Sequence, residues 1–405
     1  MSKRKVTGRS PWQRDEKEAS YTPQEWDCMK YNLSDCIKYS VDKPMFAIYD
    51  KNKTLDIYTK RAALRAAPFV VALVAYIGEE MLYQSSGTII ESDDVSSVIL
   101  TSANLIRCPQ TKTVAPNNIK VFVYLKDGRS FLGKVLTFNS HYNIVVIKIQ
   151  SDAPLPIASL KLLDDSITID PSERHFHEEK TFQLWPHSKT HNLIPGDRLF
   201  ALGRYFVKPY DIMIAPGEFC LDRCNYECKE LFMASCRITR CGIGGPLSNC
   251  NGEVVGICFY DCACTPFLPI NLVSKWWNQY KKNGVTRQPY VGIELTNLYV
   301  AELYVMEEII QKFPNICKGV FVEEVIPGSV ADFVGLRPKD VITKFGGKTV
   351  HGFLELIELM WDKVGDSVDL VVLRASDGAS LNLCMPVEEV TPDKSYSWPL
   401  WENAR

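Results

Sequence analysis

Apolar positions along this chain fall mostly in short runs broken by glycine, proline and Asp/Asn-Gly pairs, a pattern that predicts strands rather than long helices. Ala66 to Gly78 is valine-rich and predicts a buried first strand. Gly87–Ile90, Lys120–Leu125 and Phe131–Leu136 follow as strands, with Asp127-Gly128 as the hairpin turn between the last two. Apolar runs also end at Leu100 and begin at Ile144, and Pro195-Gly196 leads into a further strand, Arg198–Arg204. Residues 163–192 are acidic, histidine-bearing and weakly patterned, and read as a crossing loop between two sets of strands. Lys281-Lys282-Asn283-Gly284 reads as the next linker. Beyond it the rhythm changes. Gly328 turns the chain, Ser329 can cap a short helix, and Gly335 ends that helix before Asp340-Val341-Ile342 enters a strand. Phe353, Leu356, Ile357 and Met360 then share one helical face at three- and four-residue spacing.

These shifts divide the chain into an irregular N-terminal segment (1–60), a strand-rich domain (61–280), a second domain (281–392) and a tail (393–405). Composition changes this picture little. A formal charge of −2 over 405 residues gives no reason to expect nucleic acid or an anionic membrane as the main partner. The longest apolar run is too short to span a bilayer and contains Pro68. The start of the chain is polar and basic, with Lys3-Arg4-Lys5 but no apolar stretch. This suggests cytoplasm or nucleus, with an organelle transit segment as the alternative.

Candidate chemistry centres on Arg240-Cys241-Gly242-Ile243-Gly244-Gly245-Pro246-Leu247, followed by Asn251-Gly252-Glu253-Val254-Val255-Gly256-Ile257. Val98-Ile99-Leu100-Thr101-Ser102-Ala103-Asn104-Leu105 and Asn143-Ile144-Val145-Val146-Ile147-Lys148-Ile149 complete the set. Together these motifs resemble, in order, those of the Deg/HtrA (protease Do-like) family of trypsin-like serine proteases with a PDZ domain. The resemblance implies a mostly β, chymotrypsin-like double β-barrel followed by a C-terminal PDZ domain. It places Ile243 on the nucleophile, Asn104 on the histidine and Asn143 on the aspartate, as in a degenerate, plant-type member that lacks the triad. Isoleucine has no attacking atom, an amide cannot shuttle protons near neutral pH, and Asn143 has no charge to hold an imidazolium. The oxyanion loop departs as well: Cys241 stands where the family has its first loop glycine, beside Gly242, and a side chain there restricts the backbone N–H groups.

Residues 288–390 carry the resemblance to a PDZ module. Tyr290, Val291, Gly292 and Ile293 match the family's carboxylate-binding loop and strand; Gly319–Ala331 and Val334–Ile342 match more extensively. The resemblance implies partners in the form of unfolded or C-terminal peptide segments. It also implies homo- or hetero-oligomers with related chains, to which Trp12, Trp26, Phe46 and Tyr49 in the N-terminal segment could contribute. Of the 14 cysteines, Cys220, Cys224, Cys228, Cys236, Cys241, Cys250, Cys258, Cys262 and Cys264 crowd one region. Zinc binding is conceivable there, but cysteine also packs as a small buried hydrophobe. That is the expectation taken, with no metal ligand and no cofactor assigned. Cys241 or Ser248 as a relocated nucleophile fits poorly. His141, His175, His177, His187 and His191 read as surface histidines on polar loops rather than a relocated base.

Two classes of function follow. One is a catalytically inactive serine-protease homologue, a pseudoprotease that binds polypeptides through its PDZ domain, its degenerate cleft, or both. The alternative is a serine-type endopeptidase acting in proteolysis or protein quality control. Fold alone does not choose between them.

Overall fold

Eight consecutive apolar residues form β1 (Val70–Ile77), six of them buried, because this strand closes a barrel and packs on both neighbours. In the computed structural model, residues 55–107, 119–172 and 190–391 are described, apart from 223, 225, 262 and 263. The N-terminal residues Trp12, Trp26, Phe46 and Tyr49, the histidines at 175, 177 and 187, and Cys262 lie outside them. The described residues all fall within one packed unit, Thr54–Leu400.

The first barrel runs β1, β2 (Glu80–Ser92), β3 (Ser96–Ser102), β6 (Ile144–Gln150), β5 (Ser130–Asn139), β4 (Ile119–Tyr124) and back to β1. The β4–β5 hairpin turns at Asp127-Gly128 as the sequence predicts, with Gly128 at φ 87°. A short parallel pair, β7 (Leu162–Asp164) and β8 (Thr190–Asn192), leads to the second barrel. Its strands are β9 (Arg198–Arg204), β10 (Ile212–Cys220), β11 (Phe232–Ala234), β12 (Pro246–Ser248), β13 (Val254–Cys258) and β14 (Thr265–Pro269). They close in the order β10-β11-β14-β13-β12-β9. The mostly β double barrel is therefore present. Cys228, Cys236 and Cys258 are fully buried in the core.

Two segments differ from their reading as irregular chain. Helix α1 (Ile57–Ala66) begins before residue 61; Asp56 caps it, accepting from the Tyr58 and Thr59 amides at 2.9 and 3.0 Å. Lys281-Lys282-Asn283 is the last turn of helix α2 (Ile270–Asn283), not a linker, and Gly284 terminates it in the left-handed region at φ 73°. Trp276 and Trp277 bury one face of α2, and that packing carries the helix through its polar end.

The C-terminal domain adds a short strand pair, β15 (Pro289–Tyr290) with a strand at Glu388–Glu389, and a six-stranded sheet. In the sheet, β16 (Ile293–Asn297) lies at the edge beside β17 (Val320–Val325), which pairs with β18 (Asp340–Phe345). Helices α3 (Leu303–Lys312), α4 (Val330–Phe333) and α5 (Phe353–Trp361) complete it. Ser329 caps α4 through its hydroxyl, and the α5 residues Phe353, Leu356, Ile357 and Met360 are all buried. This domain is anchored to the barrels. Asn271 of α2 bonds both Leu163 and Glu358, Tyr142 stacks near Trp361 at 6.3 Å, and Phe232 meets Phe353 at 6.0 Å.

Candidate functional site

The seam between the barrels gathers the residues that the sequence motifs single out. Strand β3 runs into a 3₁₀ turn, Ala103–Ile106, whose start is capped by Ser102 Oγ accepting from the Asn104 amide. This turn holds Asn104 almost fully buried, and its side chain hydrogen-bonds the Tyr83 hydroxyl from β2. Burial raises the Tyr83 pKa, while Arg240, the Asn104 bond and Arg107 act in the opposite direction. Burial also lowers the Arg107 guanidinium to about 10, with Tyr83 opposing, and Arg107 donates to the Ser140 carbonyl at 3.2 Å. Asn143 ends the β5–β6 turn at φ 51°, and its carbonyl accepts from the Ala103 amide at 2.9 Å. Its side chain is fully buried, and neither amide atom has a hydrogen-bond partner among the described residues. Asn104 and Asn143 are thus brought to neighbouring turns.

From the second barrel, Arg240–Gly242 forms a 3₁₀ turn ending at Ile243. The Ile243 amide donates to the Arg240 carbonyl at 3.1 Å, and the Gly242 amide to the Thr239 carbonyl at 2.8 Å. In serine proteases of this barrel type the amide of the nucleophile residue is one of two that stabilise the oxyanion. The N–H of Ile243, which the sequence motif aligns with that residue, is engaged within its own turn. The loop is held from the first barrel: Ser86 donates its amide to the Ile243 carbonyl at 2.8 Å and its hydroxyl to the Cys241 carbonyl. Gly203 packs directly against the loop, since a Cβ there would sit 1.9 Å from the Cys241 oxygen. Ile243 is itself nearly inaccessible. Sequence patterns could not show Ser86 or Arg240 in these roles, because each acts across the seam on the other barrel.

Both candidate substitute nucleophiles are buried. Cys241 is buried, its thiol lies 2.8 Å from Thr239 Oγ1, and burial pushes its pKa up to about 12. Ser248 is 1% exposed on β12. His141 departs from its reading as a surface histidine. Glu230, on the β10–β11 loop, draws it into the junction with the C-terminal domain, with His141 Nε2 3.0 Å from both carboxylate oxygens. Burial disfavours the charged imidazole, but the Glu230 charge and hydrogen bond outweigh it and raise the His141 pKa. His191 is half-buried and sits 3.9 Å from Asp197.

The second site lies on the C-terminal domain. Tyr290 closes β15, Val291 and Gly292 form the turn, and Ile293 opens the edge strand β16. Gly292 adopts φ 71° and its carbonyl accepts from Ile326 N and Ser329 Oγ; a Cβ there would sit 2.2 Å from Ser329 Cβ. With α5 opposite, these residues bound a cavity of about 360 Å³ that Ile357 and Met360 also line. Its far wall belongs to the β10–β11 loop, including Tyr226, Glu227 and Glu230, and Lys229 pairs with Glu294 at 3.3 Å.

A double barrel with its loops meeting at one seam, followed by a sheet with an edge strand facing a helix, defines a trypsin-like peptidase domain joined to a PDZ domain. The trypsin-like peptidase domain family matches residues 85–257, and the PDZ domain family matches residues 289–385. Putative protease Do-like 14 of Arabidopsis thaliana is 32% identical over 349 residues, 82% of this chain and 72% of that protein. Serine protease HTRA1 of Xenopus tropicalis is 22% identical over 351 residues, covering 83% and 67% respectively. In fold, the chain resembles a solved HtrA-type protease, AlgW with tripeptide, at a TM-score of 0.52 and 19% identity; the match covers 82% of this chain and 98% of that one. The chain belongs to the Do-like/HtrA family of serine proteases.

Proposed function

We propose that this member of the family is a pseudoprotease that binds polypeptide C-termini through its PDZ domain and does not hydrolyse them. The observation that carries this reading is the Arg240–Ile243 turn. It offers an aliphatic side chain in the nucleophile's place and engages the Ile243 amide with Arg240. Asn104 and Asn143, aligned with the partner positions, each carry an amide that does not titrate. The reaction needs a nucleophile, a base and a charged orienter, and it gains most from preorganised oxyanion donors; at the three motif positions the described residues offer none of these groups. Edge strand β16 and helix α5, by contrast, are arranged as a groove to which an extended peptide adds as a strand, its carboxylate meeting the Tyr290–Ile293 turn. Val291, Ile293, Ile357 and Met360 favour an apolar terminal side chain. Partners of this kind are unfolded or C-terminal segments of other proteins, and related chains as oligomer partners.

A serine-directed fluorophosphonate probe tests the absence of a nucleophile: no labelling is expected beside a labelled active relative. Incubation with unfolded casein is expected to leave it intact. Cleavage that persists after Cys241→Ala and Ser248→Ala would return the chain to the serine endopeptidases. For binding, isothermal titration with a peptide ending in leucine is expected to show saturable heat, abolished when the terminal carboxylate is amidated. Equal affinity for free and amidated peptides rules out carboxylate capture.

A further inference from the structure

Three ligand atoms of different chemistry converge where the two barrels meet the C-terminal domain. His141 Nε2 lies 3.0 Å from each oxygen of Glu230, and Cys228 Sγ lies 3.4 Å from Glu230 Oε2. The three ligand atoms all lie within 4.8 Å of one another. A tetrahedral zinc ion, with bonds of about 2.0–2.3 Å, sets such ligands roughly 3.3–3.6 Å apart. We propose that His141, Cys228 and Glu230 bind a divalent transition metal of the zinc class, with the remaining coordination position open to the cavity that His141 and Glu230 line.

The donor set selects the metal. One imidazole, one thiolate and one carboxylate suit zinc, whereas calcium and magnesium take oxygen ligands. Small outward shifts of the three side chains accommodate the ion, because His141 comes from the β5–β6 turn while Cys228 and Glu230 share the β10–β11 loop. Lys229 between them points elsewhere, to Glu294. The ion would tie the β10–β11 loop, one wall of the groove, to the first barrel.

The spacing hides this site: His141 and Glu230 are 89 residues apart, and Cys228-Lys229-Glu230 matches no familiar metal knuckle. A second cluster, Cys220, Asp222 and Cys264, must be separated from it experimentally. The full chain, stripped with a chelator, is titrated with Zn²⁺ by calorimetry and with Co²⁺ by absorption. One equivalent is expected to bind, with Co²⁺ giving tetrahedral d–d bands and a thiolate charge-transfer band. Cys228→Ser should remove the charge-transfer band, and His141→Gln should weaken Zn²⁺ at least roughly tenfold. The Cys220→Ser/Cys264→Ser variant should retain both. Circular dichroism of each metal-free variant establishes that it folds, and the half-buried His141→Gln reports even where Cys228→Ser does not fold. No charge-transfer band in the unsubstituted chain overturns the proposal. So does a band that survives Cys228→Ser or vanishes in the Cys220/Cys264 variant, or Zn²⁺ affinity unchanged by His141→Gln.

Discussion

Asn143 holds a left-handed backbone with no solvent exposure, and both atoms of its side-chain amide lack partners among the described residues. Asparagine tolerates that backbone better than most residues, yet each unsatisfied buried polar group costs about 1–3 kcal/mol. Under the proposed alignment, this position matches the family's aspartate, and the chain has there an amide of the same size. Converting it alone to aspartate is therefore expected to harm the protein. A carboxyl buried there without a cation has its folded-state pKa raised above the unfolded value of about 3.9. The folded state then binds more protons than the unfolded state, and stability falls as pH rises above that value. Asn143→Asp should unfold at nearly the wild-type urea midpoint at pH 4, where it is protonated and isosteric. At pH 7.5 the midpoint should be clearly lower; equal midpoints at pH 7.5 would mean that a cation already faces this position. Addition of Asn104→His is expected to recover part of the loss.

Among the elements, the Arg240–Ile243 turn and the cap of helix α5 decide most. Restoring the triad by Asn104→His, Asn143→Asp and Ile243→Ser leaves the turn as it is. The triple variant is therefore expected to hydrolyse casein at background rate. Adding Cys241→Gly, which frees the loop to aim its amides outward, should raise the rate by about 10²–10³, the usual worth of one oxyanion donor. Full activity from the triple variant would show that Cys241 does not distort the loop. Gly292→Ala places a Cβ against Ser329 and should abolish peptide binding while leaving the barrels folded, as judged by calorimetry and circular dichroism. Helix α5 has no side-chain cap of its own. Asn297 Oδ1 accepts from the Phe353 amide, and Asp165, from the segment linking the barrels, accepts from Asn297 Nδ2 at 2.7 Å and the Leu354 amide at 3.3 Å. Burial pushes the Asp165 pKa up to about 6, with those two hydrogen bonds opposing. This group is raised above its unfolded value, so its contribution is fully present below about pH 4 and is lost as pH rises through about 6; over that span it amounts to roughly 3 kcal/mol. The stability difference between the wild type and Asp165→Asn should shift against the wild type by up to that amount from pH 4 to 7. A difference that stays flat across this range would mean Asp165 is ionised throughout.

For the whole molecule, local periodicity made individual elements legible, and the family resemblance implied how they assemble. The valine run of β1, the Asp127-Gly128 hairpin, the Ser329 cap and the α5 face all lie within a few residues of their signals. Contacts between distant parts of the chain were not legible. The grip of Ser86 on the 240–243 loop, the pairing of His141 with Glu230 and the Asp165 cap arise only when separate domains close on one another. Polarity misled at Lys281-Lys282-Asn283, where the buried tryptophans Trp276 and Trp277 extend a helix through charged residues. The central claim joins the two ends of the molecule: a seam that cannot cut and a groove that still binds. Native mass spectrometry tests both at once, using the full chain incubated with a twenty-residue peptide ending in leucine. The expected spectrum shows the chain with the peptide bound and intact after prolonged incubation. Peptide fragments that accumulate in proportion to the chain would contradict it.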